Sequence, residues 1–395
     1  MKEAVIVSGV RTAGGKAPRG VFRDTRPEVL GKYAILETIK RAGGSFTSDM
    51  IDDVLWGCAT PEQACGNNVA RITSLYAGIP IHVPNATINR FCSSGLQCIS
   101  FGAESIIANR CDIVLAGGIE HMSMVPMGGV RRPNPEILED PELDTIYTAM
   151  GVTAEIVAER YNISREEQDR FGAASMQKAA AATLSGKFKE EIVPVPVKIT
   201  TLGPDGKPVT KEVLVDTDEG IRYDTTYEAN AKLKPAFKPQ GGVVTAGNAS
   251  QTTDGAAAVL VMSKEKAQEL GCKPRLKYLG YAVAGCRPEE MGIGPVYAVP
   301  KVLKRLGLEL KDIGLIELNE AFASQALYCI KTLGLNEEIV NVNGGAIALG
   351  HPMGATGAKL TVTLMHEMER RQVKYGMVTM CIGGGQGAAG VFELC

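Results

Sequence analysis

Residues 86–118 read ATINRFCSSGLQCISFGAESIIANRCDIVLAGG: an extended run at 86–89, a helical stretch from Ser94 to about Asn109, and a second apolar run, Ile113-Val114-Leu115-Ala116, closed by Gly117-Gly118. Short β-branched and aliphatic runs bounded by turn residues are strands, and a helix between two of them implies parallel strands joined by a helical crossover. The same rhythm lies upstream. Ala4-Val5-Ile6-Val7 reads as a buried strand, and a helix follows from Pro27, which suits a first turn, to a stop at Gly43-Gly44. Val54-Leu55-Trp56 is then strand and 68–77 helix.

Downstream the alternation resumes with a strand at 276–280, a helix near 299–306, a strand at 315–318 and a helix over 323–332. It closes with a strand at 339–343, a helix from about Thr356 to Arg371, and a strand at 377–380 that ends in a glycine cluster. In both halves a strand ending in Asn turns into a helix and returns to a glycine-capped strand, so an α/β fold with an internal duplication is expected. The boundaries read as 1–120 with 245–272 for the first domain and 273–395 for the second. Between them, 121–244 reads as an inserted subdomain. It carries Pro126, Pro133, Pro135 and Pro141, a capping box at Ser164-Arg165-Glu166-Glu167, and a hairpin turn at Pro204-Asp205-Gly206-Lys207.

A chain of 395 residues has ample material for a large core. Its 42 Lys plus Arg against 44 Asp plus Glu argue against a nucleic-acid or anionic-membrane footprint as the main partner. The start, MKEAVIVSGVRT, has no apolar region with a cleavage site, so the ten cysteines are expected as reduced thiols in a cytoplasmic protein. With four histidines at 82, 121, 351 and 366, in no ligand spacing and with no CxxC pair, a metal site is not expected.

Cys92 stands where a strand ends and a helix begins. A thiol there feels the positive end of the helix dipole, which favours thiolate and lowers the pKa. The plain alternative is a small buried hydrophobe, which is also the reading for Cys98. His351 lies in the run 344–357, GGAIALGHPMGATG, whose glycines read as loop. If the duplication holds, this loop and the Cys92 turn occupy related places and can meet as nucleophile and base. Cys381 ends the last strand before Gly383-Gly384-Gly385, where bare backbone suits close approach to a ligand. Asn319, in Asn319-Glu320-Ala321-Phe322, is read by itself as a helix cap.

Together, Asn-x-x-Cys-x-Ser-Gly at 89–95, Asn-Glu-Ala-Phe at 319–322, Gly-His-Pro at 350–352 and Cys-x-Gly at 381–383 resemble the four active-site signatures of the thiolase family, in order and over essentially the whole chain. The resemblance implies duplicated α/β/α/β/α domains with a loop subdomain, and cleavage of 3-ketoacyl-CoA by coenzyme A through ping-pong acyl transfer. Coenzyme A is then a substrate, and no permanently bound cofactor or metal is expected. It further implies Cys92 as nucleophile, His351 as its base, and Cys381 as acid/base at the α-carbon. Two oxyanion sites are implied, one from His351 and a water held by Asn319, the other from the N–H groups of Cys92 and Gly383. Arg222 resembles the residue flanking the adenine and Ser250 the one that bonds the pantetheine arm. Ala149-Met150-Gly151 departs from the His-Met-Gly of short-chain biosynthetic relatives, which favours the degradative group. A homodimer or homotetramer is the family expectation. The competing readings are a biosynthetic acetoacetyl-CoA thiolase, a decarboxylating ketoacyl synthase, which would show a second His where Asn319 and Cys381 stand, and a non-catalytic acyl-CoA-binding protein.

Overall fold

The computed structural model describes residues 2–130, 132–202 and 204–395. Strands β1 (Ala4–Arg11) and β2 (Gly15–Lys16) precede helix α1 (Pro27–Ala42), followed by β3 (Asp53–Gly57), α2 (Val69–Tyr76), β4 (Asn85–Ile88), α3 (Ser94–Ile107) and β5 (Ile113–His121). The intervening segment holds α4 (Pro135–Glu139), α5 (Met150–Arg160), α6 (Arg165–Leu184), the hairpin β6 (Val195–Leu202) and β7 (Pro208–Val215), and α7 (Tyr227–Ala231). Then come β8 (Thr253–Ser263), α8 (Lys264–Leu270), β9 (Leu276–Gly285), α9 (Gly294–Leu306), β10 (Leu315–Leu318) and α10 (Ala323–Leu333). The chain finishes with α11 (Ala346–Leu349), α12 (Met353–Arg371), β11 (Tyr375–Ile382) and β12 (Gln386–Leu394).

Ten strands form one mixed sheet in the order β10-β11-β12-β9-β1-β8-β5-β3-β4, with β2 attached to β8. Its two halves meet at a short pairing of Val5 with Lys277 and Ile6 with Leu276. From that junction outward, β1-β8-β5-β3 and β9-β12-β11-β10 repeat the same sequence of antiparallel, antiparallel and parallel pairs. The duplication is therefore one of topology.

Strand periodicity divides the core into layers. On β8, Ala256, Ala258, Leu260 and Met262 face one apolar cluster, while Ala257, Val259 and Val261 face another, as side chains alternate between faces. The second cluster also takes Leu96 and Ile99 of α3, Val362 and Leu364 of α12, and Met380 and Phe392 of β11 and β12. Helices α3 and α12 thus fill the space between the inner faces of the two halves. Every residue from Met353 to Met368 is buried, as a helix covered on all sides must be. On the outer faces, α1 packs on β1 and β8, and α9 on β9 and β12.

Three expectations need correction. Residues 339–343 are not a strand; Val340 makes a single bridge to Ile316, and the Asn341 side chain takes over the ladder. Asn341 Oδ1 accepts from the Leu318 N–H at 2.9 Å and its Nδ2 donates to the Leu318 carbonyl at 2.7 Å, an exchange open to short amide side chains. Nor is 344–357 all loop, because α11 lies within it and α12 begins at Met353. There Gly354 and Gly357 sit within a helix because backbone crowds both: a Cβ on Gly354 would lie 2.5 Å from the Cys58 Cα, and one on Gly357 2.2 Å from the Leu96 nitrogen of α3. Finally, Cys381 does not stand at the end of the last strand, because β12 follows, and its Gly387 serves packing, since a Cβ there would meet Gly294 at 2.0 Å.

Candidate active site

The turn from β4 into α3 is held by its own side chains. Asn89 Oδ1 accepts from the Phe91 N–H at 2.8 Å, and Ser94 Oγ donates to the Phe91 carbonyl at 2.7 Å. Phe91 has φ of +41°, a conformation that a bulky residue adopts only where its surroundings enforce it. The clamp places Cys92 in a single tight turn before the helix, where its Sγ lies 3.3 Å from His351 Nε2.

His351 occupies the equivalent position before α12, 259 residues away in the chain. Its N–H donates to Thr253 Oγ1 at 3.0 Å, and Lys359 Nζ donates to the carbonyls of Leu349 and Gly350 at 2.6 and 2.9 Å. Its Nδ1 faces Thr356 Oγ1 at 2.7 Å. Asn319, at the end of β10, brings Nδ2 to 3.4 Å from His351 Nε2, while its Oδ1 is buried with no protein partner among the described residues. The N-cap of α10 is Phe322, so Asn319 is no cap. Cys381 ends β11, fully buried in an apolar cluster with Met291, Ala321 and Phe322. Cys92, His351 and Asn319 are thus brought together, Cys381 lies near enough to Cys92 to feel its charge, and Cys98 is left as a packing residue.

The electrostatics reverse one expectation. Burial pushes the Cys92 thiol up to about 11, and the charge of Glu120 adds to it. The N–H groups of Gly383 and of Cys92 itself face the sulfur and oppose the rise, without overcoming it. Desolvation therefore wins over the helix terminus, and the resting thiol keeps its proton. Burial, with a contribution from Lys359, holds His351 down to about 3, so its imidazole is neutral. Burial raises the Cys381 thiol well above the ordinary range, with Cys92 the foremost of the neighbouring thiols adding to this.

Sequence reasoning missed the residues that hold these groups. Glu120, buried at the end of β5, accepts from the N–H groups of Ala59 and Gly354, both at 2.8 Å, and from Thr60 at 3.1 Å. It ties the loop after β3 to the first turn of α12. Glu320 accepts from Ser175 Oγ at 2.6 Å and Asn341 Nδ2 at 2.9 Å beneath the loop leading to His351. The one signal that could have found Glu120 is an acid at the end of an otherwise apolar strand.

Ser250 is half-buried beside the Asn319 segment, its N–H donating to the Ala321 carbonyl at 2.9 Å. Arg222 is half-buried and makes no ion pair among the described residues. The adjoining Gly220 carbonyl accepts from Gln251 Nε2 at 3.1 Å, which sets the Arg222 turn beside Ser250. Near the mouth, Met150 Sδ lies 3.6 Å from the point a Cβ on Gly383 would occupy. Among the described residues, no three or more His, Cys, Asp or Glu side chains are grouped to hold a metal, and no helix is long and apolar enough to cross a membrane.

Family models described as the N-terminal and C-terminal domains of thiolase match residues 4–265 and 272–394. The chain is 56% identical over 397 residues to the 3-ketoacyl-CoA thiolase of Bacillus subtilis, covering 100% of both chains. It is 46% identical over 396 residues to that of Vibrio vulnificus, again with full coverage. Among solved structures it is similar to the Bacillus anthracis acetyl-CoA acetyltransferase, with a TM-score of 0.89 at 40% identity over 100% of this chain and 99% of that one. The dimeric peroxisomal thiolase of Saccharomyces cerevisiae gives a TM-score of 0.88 at 38% identity, over 100% and 98%.

Proposed function

The chain belongs to the thiolase family, and from that premise we propose that it cleaves 3-ketoacyl-CoA with coenzyme A into acetyl-CoA and a shortened acyl-CoA, with Cys92, His351, Cys381 and Asn319 as its working groups. The observation that carries the reading is the buried contact of Cys92 Sγ and His351 Nε2 at 3.3 Å, with the buried Cys381 thiol near enough to Cys92 to feel its charge.

Cys92 Sγ attacks the 3-keto carbon while His351 Nε2 takes the thiol proton. The bond between carbons 2 and 3 then breaks, and the electron pair leaves as the acetyl-CoA enolate. Cys381 gives that carbon its proton, and the resulting thiolate takes one from incoming coenzyme A. The coenzyme A sulfur attacks the Cys92 thioester, and Cys92 departs with the proton held on His351, so both cysteines and the histidine return to their starting state. Negative charge develops twice on oxygen. The Gly383 and Cys92 N–H groups receive it at the acylated carbonyl, and His351 with a water on Asn319 receives it at the enolate; each such donor is worth about 3 kcal/mol in a site of this kind. A free, buried Asn319 Oδ1 suits a held water.

In this reading 1–120 with 245–272 and 273–395 are the two catalytic domains, and 121–244 holds coenzyme A with Arg222 at the adenine and Ser250 at the pantetheine arm. The protein works as a homodimer or homotetramer in the cytoplasm, with no permanently bound cofactor. The experiment is intact mass after incubation with acetyl-CoA: one acetyl group on the wild type, none on Cys92→Ser, and an adduct on Cys381→Ala with carbon–carbon cleavage nearly abolished. An adduct that persists on Cys92→Ser overturns the nucleophile. The biosynthetic reading is favoured only if thiolysis across 3-ketoacyl-CoA chain lengths is confined to acetoacetyl-CoA.

A further inference from the structure

His351 has two faces, and only one of them meets the reaction. Its Nε2 looks toward Cys92 Sγ at 3.3 Å and Asn319 Nδ2 at 3.4 Å. Both neighbours are donors, a thiol that keeps its proton and an amide N–H. A lone pair on Nε2 suits both, which favours the neutral ring with its hydrogen on Nδ1. Within hydrogen-bond reach of Nδ1 stands one acceptor among the described residues, Thr356 Oγ1 at 2.7 Å.

Helical threonines of this chain use their hydroxyls in two ways, and Thr356, like Thr38 toward the Ala258 carbonyl and Thr363 toward Glu191, sends its hydroxyl outside its own helix. Thr183 and Thr361 fold their hydroxyls back onto the carbonyl four residues earlier, at 2.9 Å on Ala179 and 2.8 Å on Gly357. That is the common habit of the residue in a helix. Thr356 lies in the first turn of α12, five residues after His351. Its hydroxyl turns instead to the imidazole, and both groups are buried, at 1% and 7% exposure, so water cannot replace the contact. Glu120 and Lys359 hold the two ends of the segment that carries the pair, through the Gly354 N–H and the Leu349 and Gly350 carbonyls.

We propose that Thr356 is a positioning residue that holds the Nδ1–H tautomer of His351 and so keeps Nε2 free to take the proton of Cys92. A hydroxyl differs here from a carboxylate. It accepts from Nδ1–H without adding charge, so the resting pair stays thiol and neutral imidazole, and the ring becomes cationic only while it carries the Cys92 proton. That proton returns to Cys92 when the thioester is cleaved, and nothing is consumed.

The inference rests on the assignment of Cys92 and His351, and its test separates the two. Acetylation of Cys92 is followed in single turnover at saturating acetyl-CoA for the wild type, Thr356→Val, which keeps the shape, and Thr356→Ser, which keeps the hydroxyl. Thr356→Val should acetylate about 10- to 100-fold more slowly with little change in the acetyl-CoA concentration for half-maximal rate, and Thr356→Ser should stay within about threefold of the wild type. In the wild type labelled with 15N-histidine, the His351 signal, identified by its loss in His351→Asn, should be that of the Nδ1–H tautomer. Thr356→Val acetylating at the wild-type rate overturns the proposal, as does an Nε2–H signal in the resting wild type, a measurement that stands even if the valine variant fails to fold. A wild type that is never acetylated at Cys92 overturns instead the assignment beneath it.

Discussion

At Cys92 two effects of opposite sign meet. The backbone N–H groups at the start of α3 and at Gly383 draw the thiol toward its ionised form, while burial penalises that form more heavily. With the thiol up at about 11, free thiolate is scarce at neutral pH, and attack depends on His351 being present to accept the proton. Alkylation of Cys92 by iodoacetamide should therefore keep rising about tenfold per pH unit from 7 to 10. A plateau near 8.5 in the rate measured by mass spectrometry would show that burial does not govern the thiol. The proposed nucleophile, base and acid were put forward from the sequence because each stands in a short, distinctive motif that resembles a thiolase signature. Thr356, Lys359 and Glu120 were not, since threonine, lysine and glutamate are common and their roles come from contacts made only when the chain is folded. Glu120 meets Gly354 across 234 positions of sequence.

The proposed nucleophile and base stand in the turns just before helices α3 and α12, so the contact of these helices sets the distance between them. Bare backbone at Gly95 and Gly357 lets them touch: a Cβ on Gly95 would come within 2.7 Å of the Ala358 nitrogen, and one on Gly357 within 2.2 Å of the Leu96 nitrogen. Gly357→Ala should force the pair apart, lowering stability by about 1–3 kcal/mol as overpacking does, and slowing Cys92 acetylation by up to about 100-fold for a shift near 1 Å. Urea midpoints and single-turnover acetylation test the two effects; a variant unchanged in both would mean the helices have room to spare. The same glycines explain the loop reading of 344–357. Local propensity disfavours glycine within a helix by about 1 kcal/mol each, and only the packing of α12 against α3 between the two halves of the sheet gives a reason for it to be there. Elsewhere the capping box at Ser164 and Glu167 and the hairpin after Val193 were read from local chemistry alone, and both form as expected.

At the scale of the whole molecule, the α12 layer buries polar groups that tie the halves together. Arg11 of β1 bonds Glu191 and Asp218, and Thr363 of α12 donates to Glu191, all inside the core. On the same helix His366 is held down to about 3 by burial and by surrounding arginines, Arg275 foremost. Its unfolded value lies near 6.5, so between those values the unfolded chain binds the extra proton. The stability His366 contributes is full above about 6.5 and falls as pH drops toward 3, by about 1.4 kcal/mol per unit. His366→Gln should remove that slope from the urea-unfolding free energy between pH 6.5 and 5; identical slopes in wild type and variant would place the histidine in water.

Periodicity determined the α/β alternation and the duplication, and the resemblance of four short motifs put forward Cys92, His351, Asn319 and Cys381 as the proposed working groups, because these depend on residues near one another in the chain. Where Asn341 replaces a strand, how glycines enter α12, and whether Cys92 rests as thiol or thiolate were decided by the tertiary structure. Each depends on what packs against a residue from far away in sequence: a partner strand, a backbone at contact distance, or the exclusion of water from a buried sulfur.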